Sequence, residues 1–483
     1  MMKRRVILFG TLVGVCLIGF LTAVILSGTG NGTMAIVERT RNGDASEAKG
    51  LEITFDALTM ELDSKNHTSS VADDIVWKNT ISYDGKKPAL QAEQVKTYTD
   101  YQEKSVGGYI FKNLSSDYSD GIRYVDYFIS NFPAVREKTK RLEKSEDQPV
   151  TFRLRDCLDY YPLFVDIHPP YTDFFENGYS LTDVAAGREK RRVPYTAEEA
   201  QAILDKFEKF FRIPVLKGDV WVLKKESGWV PSEDSGFTSY FCSTVSEKAV
   251  FFTFRSLAQN GLPVDTSLIP GGYGIYCLPY SWETIDGIDF SKIDVDAMKL
   301  FCPLDPDAQV KQIAISNDGK TLYVISRKNT AYYAQMIDAE TGEILAKDVY
   351  LWETEDSWHE MILTVEEDFA VVRFAFNEKN EFSQDTSKDI ELRVLGKKQS
   401  GEWGLAMAAT APWEAAGFRY AFDGEKLAEV SFYTTDCLIN VSVYSAEGLL
   451  YRGEIAHSYY PDSNQETGDR YPQMKILQCR WNR

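Results

Sequence analysis

Histidine is scarce in this chain, and the common catalytic signatures are missing. Its 483 residues include only 4 His, so a histidine-based triad or a three-histidine metal site would use most of them. The sequence has no G-x-S-x-G elbow, no P-loop and no G-x-G-x-x-G, and His359-Glu360 lacks the second histidine of a zincin. The motifs therefore predict no catalytic residue, no metal site and no cofactor.

Cysteine is also infrequent and widely spaced. There are 7, and no C-x-x-C pair occurs, which excludes zinc ribbons and thioredoxin-like sites. Cys16 lies in an apolar run, whereas the other six are spread over the rest of the chain: Cys157, Cys242, Cys277, Cys302, Cys437 and Cys479. The spacing leaves two interpretations open for these six, disulfide bonds or buried free thiols.

Positive charge is in deficit. The formal net charge is -19, and a polyanion repels phosphate backbones. We therefore predict that the protein has no nucleic-acid partner.

One long hydrophobic run stands at the N-terminus. Val6–Leu26 contains no charged residue and would span about 30 Å as a helix, the thickness of a hydrocarbon core. The basic residues of segment 1–5 precede it, which favours a cytoplasmic N-terminus and an extracytoplasmic remainder. We predict a single-pass signal anchor in the cell membrane over residues 6–26, with the lipid bilayer as its partner. The alternative is a cleaved signal peptide.

The next two segments differ in composition. Residues 27–50 are rich in Gly, Thr, Asn, Ser and charge, which predicts a flexible tether. Residues 51–300 show short alternating or aromatic runs, including Leu51–Leu58, Asp74–Tyr83 and Gly121–Ile129, and we interpret them as strands of a mainly β region. One helix is expected near 196–212, with Thr196 as its N-cap.

A weak repeat occupies residues 301–483. Asp318, Asp368 and Asp423 each open a turn–strand–turn–strand unit, and they are 50 and 55 residues apart. A period near 50 is typical of propeller blades built from four short strands.

The residues of the first unit carry a resemblance to a known family. Ser316–Val324, read as S-N-D-G-K-T-L-Y-V, and Ile337–Glu343, read as I-D-A-E-T-G-E, resemble a blade of the YVTN/WD40-like β-propellers. The resemblance implies a propeller that binds partners, and it carries no catalytic residue onto this chain. The expected fold is mainly β, with an N-terminal transmembrane helix, a propeller-like ectodomain and one helical insertion. Tandem β-sandwich domains are the alternative.

The segment Trp352–Glu360 supplies the candidate ligand-binding residues Trp352, Trp358 and His359. Indole rings and a histidine among carboxylates could stack on a sugar or hold a basic peptide, although the same tryptophans could simply cover a blade edge.

The sequence thus favours a membrane-tethered extracytoplasmic module for binding, sensing or scaffolding, without catalysis and with a protein or glycan partner. The alternative is a membrane-anchored hydrolase that acts on glycan or peptide through paired carboxylates.

Overall fold

The fold is known from a computed structural model, which describes residues 36–63, 68–85, 88–95, 110–113, 121–144, 150–161, 163–167, 179–190, 192–225, 228–232, 237–258, 265, 267–354, 359–376, 390–411, 418–433, 438–457 and 470–482. The predicted anchor over residues 6–26 lies outside these ranges. Within them, no helix combines the length and the apolar character needed to cross a membrane.

The described part is dominated by strands. In chain order they are β1 Ile36–Gly43, β2 Leu51–Asp63, β3 Thr68–Tyr83, β4 Pro88–Val95, β5 Ile110–Asn113, β6 Thr151–Arg153, β7 Leu163–Ile167, β8 Tyr179–Ser180, β9 Val220–Lys224, β10 Gly228–Pro231, β11 Phe237–Val245, β12 Ala249–Ala258, β13 Gly274–Ile285, β14 Ile288–Ile293, β15 Lys299–Pro303, β16 Gln309–Ile315, β17 Thr321–Lys328, β18 Ala331–Asp338, β19 Ile344–Glu353, β20 His359–Val365, β21 Phe369–Phe376, β22 Ile390–Lys397, β23 Trp403–Ala411, β24 Phe418–Phe422, β25 Leu427–Tyr433, β26 Leu438–Ser445, β27 Gly448–His457 and β28 Arg470–Trp481. The α-helices are α1 Gly121–Asn131, α2 Pro133–Leu142, α3 Leu181–Ala185 and α4 Ala197–Phe210.

The chain divides into two compact units. The first comprises Met1–Tyr101 and Ala409–Arg483, and the second comprises Gln102–Ala408. This division differs from the boundary expected at residue 300, because the first unit joins strands from both ends of the sequence.

The second unit contains three larger antiparallel sheets in chain order. Their strand orders are β11-β12-β13-β14 with β15 beside β13, then β16-β17-β18-β19, then β20-β21-β22-β23. Two three-stranded sheets, β10-β9-β6 and β5-β7-β8, precede them.

The middle sheet, β16–β19, is covered on both faces. Alternate side chains of β17 point to opposite sides of a sheet. Leu322 and Val324 pack in a core with residues of β12, β13 and β15, whereas Tyr323 and Ile325 pack in another core with residues of β20–β22. A β-sandwich leaves the outer face of each sheet open, so this stacking favours a propeller-like arrangement of sheets.

The three repeat aspartates occupy equivalent places, as predicted. Asp318 lies between β16 and β17, Asp368 between β20 and β21, and Asp423 between β24 and β25. In each case the aspartate is in the turn that joins the first and second strands of a four-strand meander. The Asp318 carboxylate accepts hydrogen bonds from the Lys320 amide at 3.0 Å and the Ser316 hydroxyl at 2.6 Å, which fixes the turn.

The first unit holds two sheets, β28-β2-β3-β4 and β1-β27-β26-β25-β24. The last strand of the chain pairs with β2, from Leu51↔Trp481 to Glu61↔Arg470. Strands from the two ends of the chain therefore share a sheet.

The expected flexible tether over 27–50 needs correction where it is described. Residues 36–43 form β1, which pairs antiparallel with β27, and Ala45–Ala48 form a 3-10 helix. Ile36 packs against the core of the first unit, and the Tyr451 hydroxyl donates a hydrogen bond to Glu38. The polar segment is ordered because β1 pairs with the edge of β27 and covers it.

The expected single helical insertion is also wrong, since the described part has four α-helices. Gly121–Ile129, interpreted as a strand, belongs to α1, where Val125 and Phe128 are buried three residues apart, a helical spacing. The predicted helix near 196–212 is confirmed as α4. Thr196 caps it: the Glu199 amide donates to its hydroxyl at 3.2 Å, and its own amide donates to the Glu199 carboxylate at 2.8 Å.

Candidate functional site

Three aromatic rings meet at one end of the sheets β16–β19 and β20–β23. Trp352 and Tyr332 are cross-strand partners in β19 and β18, and their ring centroids are 6.3 Å apart. Phe374 of β21 approaches from the next sheet, 4.8 Å from Trp352 and 5.2 Å from Tyr332. We call these residues the aromatic cluster.

The three rings differ in exposure. Phe374 and Tyr332 are buried, with 0% and 3% of their surface exposed, whereas Trp352 is half-buried. Each ring pair contributes about 0.5–1.5 kcal/mol beyond simple burial, so the position of the Trp352 indole is well held. The side chain of Trp352 is partly exposed to solvent.

Two arginines and one carboxylate stand beside the aromatic cluster. Glu391 is the cross-strand partner of Phe374, so its side chain leaves the sheet on the same face. Its carboxylate accepts from Arg393 Nη1 at 2.8 Å, and Arg393 Nε donates to the Leu351 carbonyl at 2.7 Å. Arg393 therefore links the Glu391 carboxylate to the backbone carbonyl of Leu351, the residue before Trp352.

Arg327 completes the site from β17. Its guanidinium lies 5.6 Å from the centroid of the Tyr332 ring, and its Nη2 donates to the Thr354 carbonyl at 3.4 Å. Burial raises the pKa of Tyr332, and the cation of Arg327 opposes that rise without cancelling it. The phenol is therefore neutral at physiological pH.

A second carboxylate belongs to Glu353, which follows Trp352 in β19. It is exposed and accepts a hydrogen bond from the Thr330 hydroxyl at 2.7 Å. Glu353 leaves β19 on the face opposite to Trp352, because neighbouring side chains of a strand alternate. Glu391, and not Glu353, therefore lies on the side of the aromatic cluster.

The sequence-predicted site residues have different outcomes. Trp352 lies in the aromatic cluster. Trp358 falls in 355–358, outside the described residues, and for His359 the structure describes only its place as the first residue of β20. The ligand-binding role of these three stays a prediction.

Sequence reasoning missed Arg327, Glu391 and Arg393. Glu391 and Arg393 alternate with the buried Ile390 and Leu392, so two charges share one face of a strand. That alternation is a signal of a polar site between sheets, although it also fits a strand with one solvated face.

Metal ligands and cysteines are the other candidates for chemistry. Within the described ranges no group of three or more His, Cys, Asp or Glu could hold a metal ion. Five cysteines there are free thiols: Cys157, Cys242, Cys277, Cys302 and Cys479. Burial raises the pKa of the Cys242 thiol to about 11, so it is protonated at neutral pH and is a poor nucleophile.

Comparison with known proteins adds a coarse result. No family model and no curated protein matches the chain. Among solved structures, a "putative 6-phosphogluconolactonase" from Bacteroides uniformis matches 88% of this chain and 99% of its own, at 9% identity and a TM-score of 0.26. A structure described in the same words from Bacteroides fragilis matches 88% and 98%, at 8% identity and a TM-score of 0.29.

Propeller structures are also among the matches. The β-propeller domain of Cps50 from Myceliophteria thermophila matches 51% of this chain and 83% of its own, at 12% identity and a TM-score of 0.18. The mainly β fold with several sheets agrees with such neighbours, while no family model supports the narrower YVTN/WD40 assignment.

The favoured functional interpretation of the sequence, a membrane-tethered module without its own catalysis, is wrong. The two Bacteroides structures are described as enzymes, and neither the comparisons nor the described residues support a tethered non-catalytic module.

Proposed function

We propose that this protein is a hydrolase that cleaves a glycan at the aromatic cluster. The observation that supports the proposal is the position of Glu391, a half-buried carboxylate on the same face of its sheet as Phe374, whose ring centroid lies 4.8 Å from that of Trp352. Glycoside hydrolysis uses carboxyl groups that flank the scissile bond.

The half-buried indole of Trp352 favours a sugar over a peptide. A sugar ring presents a face of C–H groups that packs on an aromatic ring, and its hydroxyls pair with charged side chains at the rim. The rings of Phe374 and Tyr332 pack against the indole and hold its orientation.

Glu391 is proposed as one member of the carboxyl pair that glycoside hydrolysis uses. One carboxyl group donates its proton to the glycosidic oxygen as the bond from C1 to that oxygen breaks. The other acts as a carboxylate, either by taking a proton from the attacking water or by bonding to C1 before water displaces it. The net change is the addition of one water across the bond.

Activity of three variants tests this assignment. The full chain is assayed for release of reducing ends from a panel of polysaccharides. Glu391→Gln is expected to lose at least about a hundredfold in kcat/KM, since it removes a proton-transfer group. Glu353→Gln should retain activity, because Glu353 leaves β19 on the face opposite to Trp352. The control is Glu340→Gln, an exposed glutamate in the turn between β18 and β19, which should retain full activity. Wild-type activity in Glu391→Gln would refute the proposal.

We also propose that the enzyme is held at a membrane by Val6–Leu26, with YVTN/WD40-like blades outside the cytoplasm. The uncharged run and its basic flank support the anchor, and the Asp-Gly turns support the blade type. The anchored chain should stay with the membrane through an alkaline carbonate wash, and a variant without residues 6–26 should not. A mature N-terminus near residue 30 would contradict the anchor.

A further inference from the structure

Arg327 is placed beside the proposed sugar platform with unused hydrogen-bonding capacity. Its Nε is buried and has no hydrogen-bond partner in the described part of the chain. A buried donor left unsatisfied costs about 1–3 kcal/mol, and more for a charged group. Such a buried unsatisfied group requires a specific explanation, and a ligand that supplies the acceptor is one.

The contacts of Arg327 with the Thr354 carbonyl and the Tyr332 side chain leave Nε without an acceptor among the described residues. Nη2 donates to the Thr354 carbonyl at 3.4 Å, a long hydrogen bond, and the guanidinium lies over the Tyr332 ring. Among the described residues, no carboxylate forms a salt bridge with Arg327. Arg393, by contrast, is paired with Glu391 at 2.8 Å.

The location of Arg327 connects it to Trp352. Tyr332 is the cross-strand partner of both residues, of Arg327 in β17 and of Trp352 in β19. Arg327, Tyr332 and Trp352 therefore project from the same face of their sheet, and a ligand stacked on the indole can reach the guanidinium.

We infer that the sugar bound at the aromatic cluster carries an acidic group, which Arg327 binds through Nε–H and the adjacent Nη. A planar guanidinium matches the two oxygens of a carboxylate, a phosphate ester or a sulfate ester, whereas a neutral hydroxyl uses only one donor. This inference rests on the proposed glycan site, and it names the substrate class as acidic sugars.

Calorimetric binding to the full chain tests the inference with four probes: glucose, glucuronate, glucose 6-phosphate and glucose 6-sulfate. We expect at least one acidic probe to bind about tenfold or more tightly than glucose, because a charge-assisted bidentate contact is about twice as strong as a neutral one. The ranking of the three acidic probes identifies the acidic group.

Two variants separate recognition from folding. Arg327→Lys should bring the affinities for acidic and neutral probes within about twofold of each other, since a lysine cannot form the planar fork. Arg212→Lys is the matched control, because Arg212 also lies over a ring, that of Tyr160 at 5.2 Å, but on the exposed surface. It should behave as wild type. If Arg327→Lys unfolds, the salt dependence of wild-type binding replaces it: acidic probes should lose affinity with salt, and glucose should not.

The outcomes distinguish this inference from the proposed function. Equal wild-type affinities for acidic and neutral probes would overturn the inference, as would an equal loss for all probes in Arg327→Lys. An acidic preference that persists while no glycan is hydrolysed would sustain the inference and refute the hydrolase. Glu391→Gln, which should bind but not turn over, provides the same separation.

Discussion

At the residue scale, the packing of Trp352 must be separated from its proposed role in binding. Its ring packs 4.8 Å from Phe374 and 6.3 Å from Tyr332, yet it is only half-buried. The structure thus shows that Trp352 packs against the neighbouring sheet, whereas its ligand-binding role stays a prediction. The amino-acid type alone does not distinguish packing from binding.

We expect Trp352→Ala to lower the free energy of unfolding by about 2–3 kcal/mol, because it removes one side of a partly buried ring stack. It should also weaken sugar binding. Trp352→Phe should recover most of the stability and part of the binding. Urea denaturation, monitored by circular dichroism, gives the change in the free energy of unfolding.

The control for that measurement is Trp282→Ala. Trp282 is 45% exposed, and its ring packs edge-on against that of Tyr280, with the centroids 5.6 Å apart. Trp282→Ala should lower the free energy of unfolding by less than about 1 kcal/mol. A Trp352→Ala variant that is no less stable than Trp282→Ala would show that the aromatic cluster does not pack as described.

At the element scale, local chemistry was predictable and sheet membership was not. The cap of α4 and the Asp-Gly turns follow from hydrogen bonds within five residues, so short sequence motifs reveal them. The segment 121–129 was misread because alternating and helical spacings overlap in a short aromatic run. Arg327 and Glu391 reach the aromatic cluster only through pairing of β17 with β18 and of β21 with β22 and through stacking of the two sheets, which no local pattern encodes.

The capping box of α4 gives a quantitative prediction. Thr196→Ala should destabilise the helix by about 1 kcal/mol, because the Glu199 amide loses its acceptor, whereas Thr196→Ser should keep it. Hydrogen exchange of the first-turn amides reports the change. Equal protection in Thr196→Ala and wild type would contradict the cap.

The same box predicts a pH dependence. The hydrogen bond from the Thr196 amide lowers the pKa of Glu199 below its ordinary value of 4.5. Because the folded pKa is the lower one, the stabilisation is fully present above about pH 4.5 and is lost as the pH falls through the folded pKa. Glu199→Gln should therefore differ from wild type at pH 7 and converge with it in acid. A difference that persists at pH 2 would contradict this.

At the scale of the whole molecule, the repeat near 50 residues predicted the sheets after residue 309, since each unit begins at an Asp turn. The resemblance did not extend to β11–β15, where the turns lack that motif. The pairing of β28 with β2 was also beyond sequence reasoning, because it joins residues about 430 positions apart. Long-range pairing depends on packing energies that a local pattern does not contain.

The claim that this molecule is a hydrolase is tested most directly by the origin of the oxygen in its product. The full chain is incubated in ¹⁸O-labelled water with the polysaccharide that gives the highest release of reducing ends, and the products are weighed by mass spectrometry. We predict one ¹⁸O at the new reducing end, formed by wild type and absent with Glu391→Gln. Failure to release sugar from any polysaccharide, or equal labelled release by Glu391→Gln, would contradict the account.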